Sequence, residues 1–182
     1  MHYANIKNCD IANGPGVRVS LFVSGCTHHC KGCFNQVAWD FGYGQPFTRQ
    51  TIDQILSMLA PDYIQGLTLL GGEPFEPENQ GTVVELLRQV REKYPQKTIW
   101  AFSGYLFDRD LAPGRIGDPA TVREYLGHLD VLVDGPFIEE EKDLSLRFRG
   151  SRNQRLIDVP ASLAQGRVVL WQDWQGEGKG IK

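Results

Sequence analysis

Two kinds of apolar spacing alternate along this chain. Val17 to Ser24 mixes β-branched and apolar residues between Gly16 and Gly25, which predicts a buried strand. Leu67 to Leu70 is a short apolar run stopped by Gly71-Gly72, Thr98 to Phe102 is a third, and Asp130 to Val133 is a fourth, broken by Gly135-Pro136. Between these runs the spacing turns helical. Ile52, Ile55, Leu56 and Leu59 share one face of a helix predicted over Gln50 to Ala60, with Thr48 as N-cap and Pro61 as its stop. Val83, Val84, Leu86, Leu87 and Val90 do the same for Glu78 to Tyr94, closed by Pro95. Val122, Tyr125, Leu126 and Leu129 point inward from a helix over Pro119 to Leu129.

Strand and helix alternating four times predicts an α/β fold with a mainly parallel sheet and right-handed crossovers. Ligands of such sheets sit at the carboxyl ends of the strands. In this reading four segments share that rim: a cysteine-rich loop after Ser24, Gly71-Gly72-Glu73, Ser103-Gly104 and Asp134-Gly135. Residues 1–171 are read as a single domain and 172–182, with the run Gly176-Glu177-Gly178-Lys179-Gly180, as a mobile C-terminal tail.

Composition narrows the classes. The 182 residues are 41% hydrophobic, before 20 glycines are counted, as in a soluble globular protein. No run approaches the ~20 apolar residues of a membrane span, and the N-terminus lacks a basic region followed by an apolar one. A net charge of -3 offers no global case for nucleic acid, and the chain is expected in the cytoplasm. Three of the four cysteines fall within eight residues, Cys26-Thr27-His28-His29-Cys30-Lys31-Gly32-Cys33, too close together for a useful disulfide framework.

The C-x3-C-x2-C spacing gives a four-iron cluster only three protein thiolates, leaving one iron open to an outside ligand. Cys26, Cys30 and Cys33 are therefore the expected metal ligands. The competing reading is a zinc-stapled, non-catalytic interaction module completed by His28 or His29. It requires cramped ligation within one loop, whereas structural zinc usually takes two ligand pairs set far apart in sequence. Both histidines are read as loop residues able to tune a cluster by hydrogen bonding. Cys9, seventeen residues before Cys26, is expected to be a small buried residue without a metal role.

The spacing is the signature of the radical S-adenosylmethionine enzymes, and the flanks narrow it. Asn13-Gly14-Pro15-Gly16-Val17-Arg18, Leu21-Phe22-Val23-Ser24-Gly25-Cys26, Gly32-Cys33-Phe34-Asn35, Gln45-Pro46-Phe47-Thr48, Gly71-Gly72-Glu73-Pro74, Leu132-Val133-Asp134-Gly135 and Arg149-Gly150-Ser151-Arg152-Asn153-Gln154 occur in that order. Together, from about Asp10 to Val159, they resemble the activating proteins of anaerobic (class III) ribonucleotide reductases. The resemblance implies an incomplete, open (β/α) barrel, a [4Fe-4S] cluster and S-adenosyl-L-methionine as cofactors, and the reductase large subunit as partner. It also implies a flavodoxin or ferredoxin as electron donor. One electron from the cluster would cleave S-adenosylmethionine, and the resulting 5'-deoxyadenosyl radical would take hydrogen from a glycine of the reductase. A small-molecule enzyme resembling the carboxy-deazaguanine synthases is the second enzymatic reading, but a chain this short should leave its rim open, as a protein-loop substrate needs.

The expected cofactor-binding residues are Gly32, Cys33, Phe34, Gly71, Gly72, Glu73, Ser103 and Asp134. Glycines at 71 and 72 would permit close approach of a ligand, and Glu73 would accept a hydrogen bond from the methionine ammonium. Gly32 stands where many radical S-adenosylmethionine enzymes carry an aromatic residue, which leaves Phe34 or Trp39 to cover the adenine. Ser103 and Asp134 could contact the amino group or ribose, or merely cap their strand ends. Arg147, Arg149, Arg152 and Arg155 form a basic run, read as a docking face for a protein partner because it lies in a segment of the resemblance.

Overall fold

The computed structural model describes residues 1–172, so all but the first residue of the expected tail lies outside the described residues. Its strands are β1 (His2–Asp10), β2 (Val17–Val23), β3 (Gln45–Pro46), β4 (Ile64–Gly71), β5 (Thr98–Ser103), β6 (Val131–Asp134) and β7 (Arg155–Asp158). The helices are α1 (Arg49–Leu59), α2 (Pro77–Lys93), α3 (Pro119–His128) and α4 (Val159–Gln165). The seven strands form one open sheet in the order β3-β1-β2-β4-β5-β6-β7. Its four central members β2, β4, β5 and β6 are parallel, as the alternation predicts, and each step between them crosses over through a helical segment. The flanking strands β1, β3 and β7 pair antiparallel, which the apolar pattern did not announce. The sheet does not close on itself.

Each helix start has a local chemical cause. The Asp118 carboxylate accepts the Thr121 N–H at 2.8 Å and begins α3; Asp158 does the same for Ala161 at 2.9 Å in α4. At α1 the Thr51 hydroxyl accepts the Thr48 N–H at 3.1 Å. Pro77 and Pro119 occupy first-turn positions, where a missing N–H costs nothing.

Strand residues alternate between two cores. Val19, Leu21, Val23, Leu67, Leu69, Ile99, Ala101 and Leu132 face the apolar sides of α1, α2 and α3, including Ile55, Leu59, Val83, Leu86, Leu87, Val122 and Leu126. The other face carries Arg18, Ser20, Thr68, Trp100, Val131 and Val133, with Phe102, Phe148, Leu156 and Trp171 packed against Trp100 and the two valines. Helices thus cover one face only, and loops cover the other. Among the described residues no helix is long and apolar enough to cross a membrane.

Arg18 holds the helix-free face together and, among the described residues, has no carboxylate in contact. Its guanidinium donates to the Thr68 hydroxyl (2.7 Å), the Thr98 hydroxyl (2.9 Å), and the carbonyls of Leu67 (2.8 Å) and Thr98 (3.0 Å), and it lies over the Trp100 ring at 5.6 Å. Burial pulls its pKa down to about 10, so it stays charged at neutral pH. The planar fork reaches strands β4 and β5 at once, which a lysine ammonium cannot do. Arg18→Lys should therefore strand buried acceptors and cost about 3 kcal/mol of stability. Urea unfolding of the metal-free chain measures this; a loss under about 1 kcal/mol would mean the network is dispensable.

Candidate metal and cofactor site

Register brings the predicted rim together. Val23 pairs with Gly71, Leu69 with Ala101, and Ser103 with Asp134, so the carboxyl ends of β2, β4, β5 and β6 lie side by side. The chain leaves β2 into the cysteine loop, whose backbone polar groups must find partners once removed from water. The Gly25 N–H donates to the Ala38 carbonyl at 2.8 Å and the Cys26 N–H to Trp39 at 3.2 Å. From β4, the Gly72 N–H donates to Val23 at 2.7 Å and the Glu73 N–H to Gly25 at 2.8 Å, while the Asn79 side chain donates to Ser24 at 3.0 Å. Thr27 gives both its N–H and its hydroxyl to one oxygen of Glu76, at 2.7 and 2.6 Å. The loop is tied down before any metal arrives.

Cys26, Cys30 and Cys33 all line a cleft of about 530 Å³, together with Gly32, Phe34, Trp39, Gly71, Gly72, Glu73 and Ser103. Cys26 is buried and the other two are half-buried. Among the described residues no three His, Cys, Asp or Glu side chains converge on one point, as a single tetrahedral ion would require. An iron–sulfur cube instead takes each thiolate on a different iron, and three thiols spread along one loop above a roomy cleft fit that group. Without metal, burial pushes the Cys26 thiol up to about 12, and burial also raises Cys30. Loading must therefore displace protons.

Glu73 is the most connected group at the rim. It is only 1% exposed. One carboxylate oxygen accepts from the Phe75 N–H (2.8 Å) and the Ser103 hydroxyl (2.9 Å); the other accepts from the Gly104 N–H (2.7 Å) and His28 Nε2 (3.0 Å). Burial would lower the His28 pKa, but the hydrogen bond and charge of Glu73 outweigh it and the net shift is upward. His29 stacks on Trp39, with ring centres 4.6 Å apart.

The other predicted residues divide. Ser103 lines the cleft but is engaged with Glu73 and with the Tyr105 N–H, which it accepts at 3.1 Å. Asp134 does not reach the cleft. It is wholly buried, accepts the Phe107 N–H at 2.8 Å, and is clamped by Arg155, its cross-strand partner on β7; Gly135 lines the cleft instead. Gly71 and Gly72 do admit a close approach, though of the chain itself. A Cβ on Gly71 (φ +114°) would meet the Val23 carbonyl at 2.6 Å, and one on Gly72 would meet the Gly25 carbonyl at 2.4 Å. Phe34 stands 86% exposed at the cleft mouth.

One expectation needs correction in particular. Cys9 is exposed, not buried, because β1 is irregular between Lys7 and Asp10 and Cys9 takes a left-handed φ of 58° there. The four arginines of the basic run line one shallow cavity of about 360 Å³ with Phe148 and Leu156, and individually they are engaged as well: Arg155 is tied to Asp134 and Asp108, Arg149 donates to the Gln154 carbonyl at 2.6 Å, and Arg152 lies 3.5 Å from Asp143. Glu76, Asn79 and the His28–Glu73 contact went unforeseen. The only hint was a second acid and an amide soon after Glu73 in Glu73-Pro74-Phe75-Glu76-Pro77-Glu78-Asn79.

Similarity to known proteins identifies the family. The profile of the family described as "4Fe-4S single cluster domain" matches residues 12–157. The chain is 42% identical over 158 residues (86% of this chain, 93% of the relative) to an anaerobic ribonucleoside-triphosphate reductase-activating protein of Enterobacteria phage T4. Proteins of the same name from Escherichia coli and Haemophilus influenzae are 41% and 43% identical over 156 residues, each covering 85% of this chain and 96% of the relative. The family match takes in the whole cysteine loop and every strand end at the cleft, and with relatives about 40% identical over most of its length this chain belongs to the family of anaerobic ribonucleoside-triphosphate reductase-activating proteins and contains a 4Fe-4S single cluster domain.

Proposed function

We propose that this chain generates a glycyl radical on an anaerobic ribonucleotide reductase, by reductive cleavage of S-adenosylmethionine at a [4Fe-4S] cluster. The observation that carries this reading is the meeting of three cysteines of one loop with Gly71–Glu73 and Ser103 in a single cleft at the strand ends. Cys26, Cys30 and Cys33 would hold the cluster. A cluster held there would supply one electron to break the sulfonium–C5' bond of S-adenosylmethionine, releasing methionine and a 5'-deoxyadenosyl radical able to take a hydrogen atom from glycine and leave as 5'-deoxyadenosine.

The chain's own residues orient and exclude. Glu73 would receive the methionine ammonium through a charge-assisted hydrogen bond. Trp39, on the cleft wall, and Phe34, at its mouth, supply flat apolar surface for the adenine. The mouth is apolar as well as open, since Leu144 also lines it and is 90% exposed. A glycine-bearing loop of the reductase large subunit entering there would cover Phe34 and Leu144 and expel water from the reacting centre. Arg152, with its side chain 68% exposed, remains available to meet a carboxylate of that partner. A flavodoxin or ferredoxin is the proposed source of the electron.

The deciding experiment is anaerobic incubation of the reconstituted protein with the reductase, S-adenosylmethionine and a reductant, followed by electron paramagnetic resonance. A glycyl doublet together with 5'-deoxyadenosine is expected. A colourless protein that holds one zinc and yields neither would end the proposal.

Substitutions divide the site into parts. Ala at any one of Cys26, Cys30 or Cys33 should abolish cleavage, while Cys9→Ala should keep full iron content; iron lost from the Cys9 variant would mean a wrong ligand set. Glu73→Gln should retain the cluster but weaken S-adenosylmethionine binding by about tenfold to a hundredfold, as a charged hydrogen bond becomes neutral. An unchanged dissociation constant would remove Glu73 from the binding site. Glu76→Ala frees Thr27 and should leave a cluster that releases iron to a chelator about tenfold faster than wild type, the range seen when groups supporting metal ligands are removed. Equal release rates would show that the loop does not need Glu76.

A further inference from the structure

A carboxylate offers about four lone-pair sites, and Glu73 already accepts from four donors. As the chain stands, the residue assigned to the methionine ammonium has no acceptor position to give it. One donor has to leave. The N–H groups of Phe75 and Gly104 belong to the backbone and cannot withdraw alone. The Ser103 hydroxyl is locked, since it donates to Glu73 while accepting from the Tyr105 N–H. His28 is a side chain on the cysteine loop, it borders the cleft, and its side chain is 18% exposed, so it alone has a way out.

The place His28 occupies is shaped for its ring. A Cβ on Gly104 would fall 2.5 Å from His28 Cδ2 and 2.6 Å from Nε2, so only glycine there lets the imidazole lie against the β5 end. Tyr105 closes the niche edge-on, with ring centres 4.4 Å apart. A buried carboxylate oxygen with a vacant acceptor position is costly. A displaceable donor removes that cost while the ligand is away.

We infer that His28 is a placeholder: in the cofactor-free chain its Nε2–H occupies the acceptor position on Glu73 that the methionine ammonium takes, and the ring leaves its niche when S-adenosylmethionine binds. The inference rests on reading the cleft as the S-adenosylmethionine site. It makes His28 a competitor that lowers cofactor affinity and a positioning residue that keeps Glu73 aimed. A merely structural histidine would act the other way, since its loss would loosen the site and weaken binding.

Calorimetric titration of S-adenosylmethionine into the cluster-loaded protein, kept oxidised so that nothing is cleaved, tests this. His28→Ala should bind about tenfold tighter than wild type, while His28→Gln, which keeps an amide donor for Glu73, should stay within about threefold of it. Unchanged or weaker binding by His28→Ala overturns the placeholder. Failure of the wild type to bind at all overturns the reading of the cleft, and the placeholder with it. A measurement on the wild type covers the case in which the alanine variant cannot hold a cluster: exchange of the His28 ring C2–H, followed by mass spectrometry, should speed up when S-adenosylmethionine is added. An unaltered rate would mean the ring never leaves Glu73.

Discussion

A carboxylate buried at the end of a parallel sheet must be compensated locally, because moving an ion of this size out of water costs several kcal/mol even after the protein relaxes. Glu73 meets that constraint with donors from three segments that are far apart in sequence: the turn after β4, the end of β5 and the cysteine loop after β2. In the ligand-free chain none of the three can shift without leaving the charge short of a partner. The same residue ties the cysteine loop through its backbone, donating its N–H to Gly25. A rim built from loops is thereby given the rigidity of the sheet beneath it.

The one-sided distribution of helices explains where the cleft lies. With α1, α2 and α3 all packed on one face, the other face of β2, β4, β5 and β6 is free to carry polar and aromatic groups. Arg18 and Trp100 lie on that face, the guanidinium bonded to β4 and β5, while Leu70 and Phe102 reach the cleft. At the far edge β7 places Arg155 directly opposite Asp134, and the pair is extended by Asp108. Asp134 is thus consumed in securing the last parallel strand to its antiparallel neighbour. Charge at the strand ends has two fates here: Glu73 faces the cleft and Asp134 faces away from it.

Membership of the activating-protein family and the open, apolar mouth of the cleft bear on the same question. Side chains as exposed as Phe34 and Leu144 cannot by themselves seal a site from water, but they suit one completed by another protein's surface. The cysteine loop is meanwhile steadied on its outer side by Lys31, which pairs with Glu139 and Glu140, and by the packing of Gly32 against Glu139. Such exposed pairs add little stability, yet they join the loop to the segment that carries Leu144.

Local periodicity was sufficient to reveal the four central strands, the three long helices and the order that puts their ends on one rim, because each element is amphipathic or apolar in its own right and each is bounded by Gly or Pro. The cysteine spacing was legible for the same reason: its ligands lie within eight residues, so chemistry and geometry are both local. What stayed hidden depends on pairing between distant segments. β1 reads His-Tyr-Ala-Asn-Ile-Lys-Asn-Cys-Asp, too polar to announce a strand, and β7 is four residues long; both exist because a neighbouring strand offers unpaired backbone groups. Only the tertiary structure could decide that Asp134 belongs to Arg155, that Gly71 makes room for the β2 backbone and Gly72 for Gly25 of the cysteine loop, and that Thr27 needs Glu76. A carboxylate at a strand end looks the same in sequence whether its lone pairs are free or taken, and it is the fold that fills them.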